Sequence, residues 1–206
     1  MCDDPIVVDP ARFPTLAAYL AQLPQGLESH PQCQAKGSQI RTAIEGHDLG
    51  EDAAALPEPI RELFEMPPPA TAWVPMVYSD AVFHSVCDRY YPTEEQMLAW
   101  CHRRTMAIVR SPMYRRLVAV AGPKMFFRLA DRVFFLFERG SEMSIDVGDG
   151  LARIEVTHPP HLHSRLNHLG NVAVMEALLE ITGGREPRCE LVESRATGLV
   201  LECRWE

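Results

Sequence analysis

The chain has 206 residues, 47% of them apolar, and a formal net charge of −8. That is enough apolar material for one sizeable core, and the wrong sign for the basic footprint of a nucleic-acid binder. No apolar run approaches the ~20 residues that span a bilayer, and the acidic start Met1-Cys2-Asp3-Asp4 is unlike a signal peptide. A single cytoplasmic domain over 1–206 is therefore expected, with no membrane span and no nucleic-acid partner.

Residues 1–30 read as a loose lead-in. Within it a short helix over Pro14–Leu23 would place Leu16, Tyr19 and Leu20 on one side, with Pro24 and Gly26 ending it. Ser38 is the expected N-cap of a second helix that runs to about Glu45 and stops at Gly46. Residues 47–72 are acidic and punctuated by Pro57, Pro59, Pro67, Pro68 and Pro69, the pattern of a surface excursion. After Trp73-Val74-Pro75, the stripe Val82, Phe83, Val86 predicts a helix over Ser79–Tyr90.

From residue 92 to the end the signals sharpen. Thr93 with Gln96 three residues later is a capping box, opening a helix with Met97, Trp100 or Cys101, Thr105 and Ile108 on one face. Ser111-Pro112 offers a fresh start near Arg110, followed by Tyr114, Leu117, Val118 and Ala121. Gly122-Pro123 begins a third helix, in which Phe126, Leu129, Val133 and Phe137 define the expected buried stripe and Gly140 the C-cap.

The period then changes from helical to alternating. Met143, Ile145 and Val147 alternate with polar residues, as do Ala152, Ile154 and Val156. An Asp149-Gly150 turn pairs Val147 with Ala152 and Ile145 with Ile154. A helix over Ser164–Thr182 follows, with Leu166, Leu169, Ala173, Ala177 and Ile181 on one face. A second hairpin, turning near Arg195–Gly198, would set Cys189 opposite Cys203. The order strand–strand–helix–strand–strand predicts an α+β fold, with a helical N-terminal part packed on one four-stranded antiparallel sheet.

Chemistry is sparse in this sequence. The six cysteines at 2, 33, 87, 101, 189 and 203 form no Cys-x-x-Cys pair and read as buried thiols. His158, His161, His163 and His168 lie within eleven positions. A metal reading would use His158, His161 and His163; a polar loop of exposed histidines is the plainer account, and a pH-sensitive patch is the third. His84–Cys87 and Cys101–His102 are neighbours without a catalytic motif around them, so no catalytic residue is assigned and an enzyme is not expected. The basic stretch from Arg103 through Arg104, Arg110, Arg115, Arg116 and Lys124 to Arg128 reads as a solvated face. The Phe-rich helix is apolar over more than one stripe. It reads first as a central core helix, and alternatively as one that lines an apolar ligand cavity or a dimer face; in the ligand reading Phe126, Leu129, Val133, Phe134 and Phe137, with Trp100, are the expected lining of the pocket.

Four stretches carry a family likeness: Pro31 to Ser38, Trp73-Val74-Pro75, Arg110-Ser111-Pro112-Met113-Tyr114-Arg115, and the closing Arg204-Trp205-Glu206. In their order and spacing they resemble a paralogous family of about 200-residue proteins expanded in myxobacteria, over most of the chain from about residue 27. That family carries no established activity. The C-terminal half is also similar to the superfamily of haem nitric-oxide-binding, vinyl-reductase-type and Golgi-tethering domains. The resemblance implies helices packed on a four-stranded antiparallel sheet around an apolar ligand pocket. The Tyr-x-Ser-x-Arg motif of the haem-binding members is missing here and no proximal histidine can be assigned, so no cofactor is expected. The expected function is a non-enzymatic regulatory or sensory module that binds a small apolar ligand or a protein partner, including a second copy of the chain. A ligand-free scaffold is the first alternative, and a metal-dependent enzyme built on His158–His168 the second.

Overall fold

The computed structural model describes residues 8–110 and 122–206. The expected helix from Ser111 to Ala121, with Arg115, Arg116 and most of the Arg110–Arg115 motif, lies outside them. The chain groups into two compact units, Met1–Pro92 and Thr93–Glu206. The fold is α+β, as the element pattern predicts.

The first unit contains α1 (Pro14–Gln22), β1 (Gln34–Lys36), α2 (Gly37–Ile44), α3 (Glu58–Glu65), β2 (Trp73–Pro75) and α4 (Met76–Tyr90). β1 and β2 pair antiparallel, Ala35 opposite Val74. The centre of the unit is α4, against which α1, α2 and α3 all pack. Every residue from Ser79 to Cys87 is buried, so the stripe Val82, Phe83, Val86 is only part of its apolar contact. The expected lead-in is packed where it is described: Phe13, Leu16, Tyr19, Leu23 and Leu27 are core residues.

Ser38 is not the N-cap of α2. The helix begins at Gly37, with Lys36 in the capping position and no side-chain cap. Instead the Pro-rich segment supplies the acceptors. Gly37 N–H donates to the Ala72 carbonyl at 2.8 Å and Ser38 N–H to the Ala70 carbonyl at 3.0 Å. Arg41 reaches the carbonyls of Pro67 and Pro68, both at 3.3 Å. The end of the 47–72 excursion is thus fastened to α2 through backbone groups that a helix start leaves unpaired.

The second unit opens with α5 (Glu94–Arg110), whose capping box forms as expected: Thr93 N–H donates to Gln96 Oε1 and Gln96 N–H to Thr93 Oγ1, both at 3.3 Å. Then come α6 (Pro123–Phe134), the short β3 (Glu138–Arg139), β4 (Glu142–Val147), β5 (Leu151–Thr157), α7 (Arg165–Ile181), β6 (Arg188–Arg195) and β7 (Gly198–Arg204). Four of these strands make an antiparallel sheet in the order β4-β5-β7-β6. The first hairpin has the predicted register, Val147 opposite Ala152 and Ile145 opposite Ile154. In the second, Cys189 faces Cys203 and Leu191 faces Leu201. Ala152, Ile154, Leu199, Leu201 and Cys203 join Phe126, Phe127, Ala130 and Leu179 in one core.

α6 departs from the expected stripe. Its buried positions are Phe126, Phe127 and Ala130, with Phe134 packed against the same core. The helix ends at Phe134, so Gly140 (φ 87°) is not its C-cap and lies between β3 and β4.

Candidate functional site

The sheet of the second unit leaves an opening at its β4 edge. The inward side chains of β5, Ala152, Ile154 and Val156, are buried, whereas those of β4, Met143, Ile145 and Val147, are only half-buried. α6 packs on β4 without closing over it. A cleft of about 390 Å³ remains, lined by Phe127, Arg128, Met143, Ser144, Ile145 and Val147. Its lining mixes apolar side chains of the helix and the sheet with Ser144 and Arg128, the one charge among the lining residues.

None of the six expected pocket residues lines this cleft. Trp100 and Phe126 are buried, Val133, Phe134 and Phe137 half-buried, and Leu129 is 41% exposed. Trp100 lies on α5 beneath the Arg104 guanidinium, 5.2 Å from the ring centre. The overlooked signal was the alternation in β4, which names the inward residues of a strand but not whether that strand is an edge.

The second gathering of chemistry is the histidine cluster. His158, after β5, and His168, in the second turn of α7, bring their Nε2 atoms to 3.1 Å. His158 Nδ1 lies 2.9 Å from the Pro159 carbonyl oxygen, and His168 Nδ1 lies 2.8 Å from Ser194 Oγ on β6. A carbonyl only accepts, so His158 carries its proton on Nδ1, and in the neutral ring its Nε2 accepts. His168 must then donate from Nε2 and accept at Nδ1, from the Ser194 hydroxyl. Burial pushes the His168 pKa down to about 3, aided by the neighbouring His163 and His158.

A β-bulge makes this contact. The β6–β7 register shifts between Leu191 and Glu193, so Ser194 pairs with Leu199 and joins the face that carries Leu201 and Cys203. Without the extra residue, Glu193 would occupy that face. α7 is held at its start by Ser164, whose Oγ accepts from Leu166 N–H at 3.1 Å and Asn167 N–H at 3.2 Å.

His161 does not share in the cluster's ring contacts. It adopts φ 62° and its N–H donates to the Ala196 carbonyl at 2.6 Å. The gathered rings are His158, His163 and His168, with His163 edge-on to His158 at 4.9 Å between centroids. Among the described residues no group of three or more His, Cys, Asp or Glu side chains is placed to hold a metal ion.

The cysteine–histidine neighbours of the sequence are engaged elsewhere. His84 bonds Thr15 Oγ1 at 2.9 Å and stacks on Tyr19; His102 bonds Glu180 at 3.0 Å. Burial pushes the Cys101 thiol up to about 11, against a smaller opposing pull from Arg104. Cys189 and Cys203 are free thiols in the core, 2.7 Å apart, and their hydrogen bond and burial raise the Cys189 pKa.

No protein-family model and no curated protein matches the sequence. Solved structures of H-NOX proteins do match in fold. One comes from work on haem distortion in the H-NOX family, with a TM-score of 0.58, 10% identity, and coverage of 83% of this chain and 95% of that one. An oxygen-binding H-NOX domain related to soluble guanylate cyclases gives 0.55, 11%, 82% and 92%. An unliganded Fe(II) H-NOX mutant from K. algicida gives 0.53, 13%, 83% and 96%. At such identities the likeness establishes the fold, which is H-NOX-like.

Proposed function

We propose that this chain is a non-enzymatic sensory or regulatory module that takes a small apolar ligand in the α6–β4 cleft. The observation that carries the reading is the cleft itself: an opening beside the core of an H-NOX-like fold, lined by four apolar side chains, with Ser144 and Arg128 in the same lining to meet a polar or anionic group. Ligand sites combine apolar side chains with a few polar groups, and here Phe127, Met143, Ile145 and Val147 stand beside Arg128 and Ser144.

Haem, the group named with the matching folds, does not fit the residues present. α6 contains no histidine and none lines the cleft. The rings of His47, His84, His102, His158 and His168 hydrogen-bond to Tyr91, Thr15, Glu180, Pro159 and Ser194. The reading is therefore of an H-NOX-like fold used without haem. Membership of the myxobacterial paralogous family belongs to the same proposal and rests on the ordered motifs alone.

The test is a titration with 1-anilinonaphthalene-8-sulfonate, an apolar probe with one anionic group, followed by native mass spectrometry. Saturable 1:1 binding is expected, weakened at least tenfold by Ile145→Asp with the far-ultraviolet circular dichroism unchanged. No saturable binding, or equal affinity in the variant, overturns the assignment.

A further inference from the structure

We infer that His158 and His168 form a proton-operated latch, closed when at most one proton is added to the neutral pair and opened by a second. The inference is independent of the α6–β4 cleft. It rests on the facing Nε2 atoms, 3.1 Å apart. That contact is a hydrogen bond only while one of the two nitrogens lacks a proton. In the neutral pair the direction of every bond is fixed by the Pro159 carbonyl, as derived above. A first added proton leaves one Nε2 bare and the contact intact. His168 Nδ1 then carries a proton, and Ser194 must turn from donor to acceptor. A second added proton sets N–H against N–H between two cations, and the pair must separate.

The surroundings resist even the first charge. His158 and His168 are 7% and 1% exposed. From the loop His163 faces His158; from β6 comes the Ser194 hydroxyl, and from β7 the apolar Leu199 opposite it. From α7 comes the positive end of a helix, capped by Ser164 and Asn167. The charged side chains nearby on β5 and β6 satisfy one another: Arg195 pairs with Glu193 and lies 3.9 Å from Glu155.

What the latch holds is a junction of three segments. His158 is on the β5–α7 loop, His168 on α7 and Ser194 at the end of β6. The same loop is tied to the β6–β7 turn by His158 N–H to the Thr197 carbonyl at 3.0 Å and His161 N–H to the Ala196 carbonyl. Opening the pair frees residues 158–164 from that turn.

The experiment is hydrogen exchange of the full chain at pH 7.5 and pH 5.0, corrected for intrinsic rates, with imidazole ¹H–¹⁵N spectra on the same sample. An imidazole that is neutral when closed and titrates near 6.5 when open raises the opening constant about 30-fold over that interval. Protection of residues 158–164 is expected to fall by at least that factor. In His168→Gln, which keeps an N–H toward His158 but cannot titrate, a 30-fold portion of the effect is expected to vanish. The spectra at pH 7.5 are expected to show His158 protonated at Nδ1 and His168 at Nε2. Unchanged protection in the wild type, an equal pH effect in His168→Gln, or the same tautomer in both rings overturns the latch; the tautomer readout stands even if the variant fails to fold.

Discussion

Phe127 is 1% exposed and Leu129 41% exposed, two positions apart on one helix. Truncating the first removes a ring that packs beside Phe126 and Trp205. Phe127→Ala is expected to cost about 3–5 kcal/mol in urea denaturation, and Leu129→Ala less than about 1 kcal/mol. His168 sets a pH dependence of known sign. Its folded pKa is depressed to about 3, so below about 6.5 the unfolded chain binds the proton that the folded chain refuses. Its contribution to stability is complete above about pH 6.5 and is lost as pH falls toward 3, by at most about 1.4 kcal/mol per pH unit. Thermal unfolding across pH 7.5 to 4.5 checks the slope against His168→Gln. Cys101, with its thiol raised to about 11, is expected to react with iodoacetamide at pH 8 only after unfolding.

Two helix starts in the first unit, those of α1 and α2, draw on distant partners. α1 begins with Pro14 and has no local side-chain cap. Asp88 on α4 caps it instead, accepting from Thr15 N–H at 3.1 Å and Leu16 N–H at 3.0 Å. Burial raises the Asp88 pKa, with those hydrogen bonds pulling the other way. Asp88→Ala is expected to destabilise by about 1–2 kcal/mol, and Asp88→Asn by less, since the amide oxygen still accepts and no buried charge remains. Chemical denaturation of the pair separates the two effects. α2 is served by the Pro-rich segment in the same way, and a Cβ at Gly37 would collide with the Pro69 carbonyl oxygen. In the sheet, Gly198 lets β7 approach β5; a Cβ there would collide with the Val156 carbonyl oxygen. Gly198→Ala is expected to weaken the β5–β7 pairing, seen as lost amide protection at Val156 and Thr157.

At the scale of the molecule, the H-NOX-like fold and the proposed haem-free use of it make a joint prediction. Added hemin is expected to give no Soret band characteristic of axial imidazole, while the anilinonaphthalene probe binds; the two titrations on one preparation separate fold from cofactor. Among the described residues no helix is long and apolar enough to cross a membrane. Core burial supports the first unit's order from Val8 onward, where the sequence pattern suggested a loose segment: α1 places Leu16 and Tyr19 against α4, and neither is exposed beyond 2%.

Elements whose signals are local were legible in the chain. The Thr93 box, the Ser164 start and the register of the first hairpin depend on residues within a few positions of one another, so spacing alone determines them. The four-stranded sheet followed, because alternation assigns each strand an inner face. Tertiary structure decided what depends on the company an element keeps. An edge strand and a central strand share one alternation, so the cleft beside β4 was invisible. Rotation of α6 about its axis was set by which aromatic faces the sheet could bury, which moved the stripe from Phe126, Leu129, Val133, Phe137 to Phe126, Phe127, Ala130, Phe134. The meeting of His158, His168 and Ser194 required a one-residue bulge at Val192, and a bulge is fixed by strand pairing across the sheet rather than by the residues on either side of it.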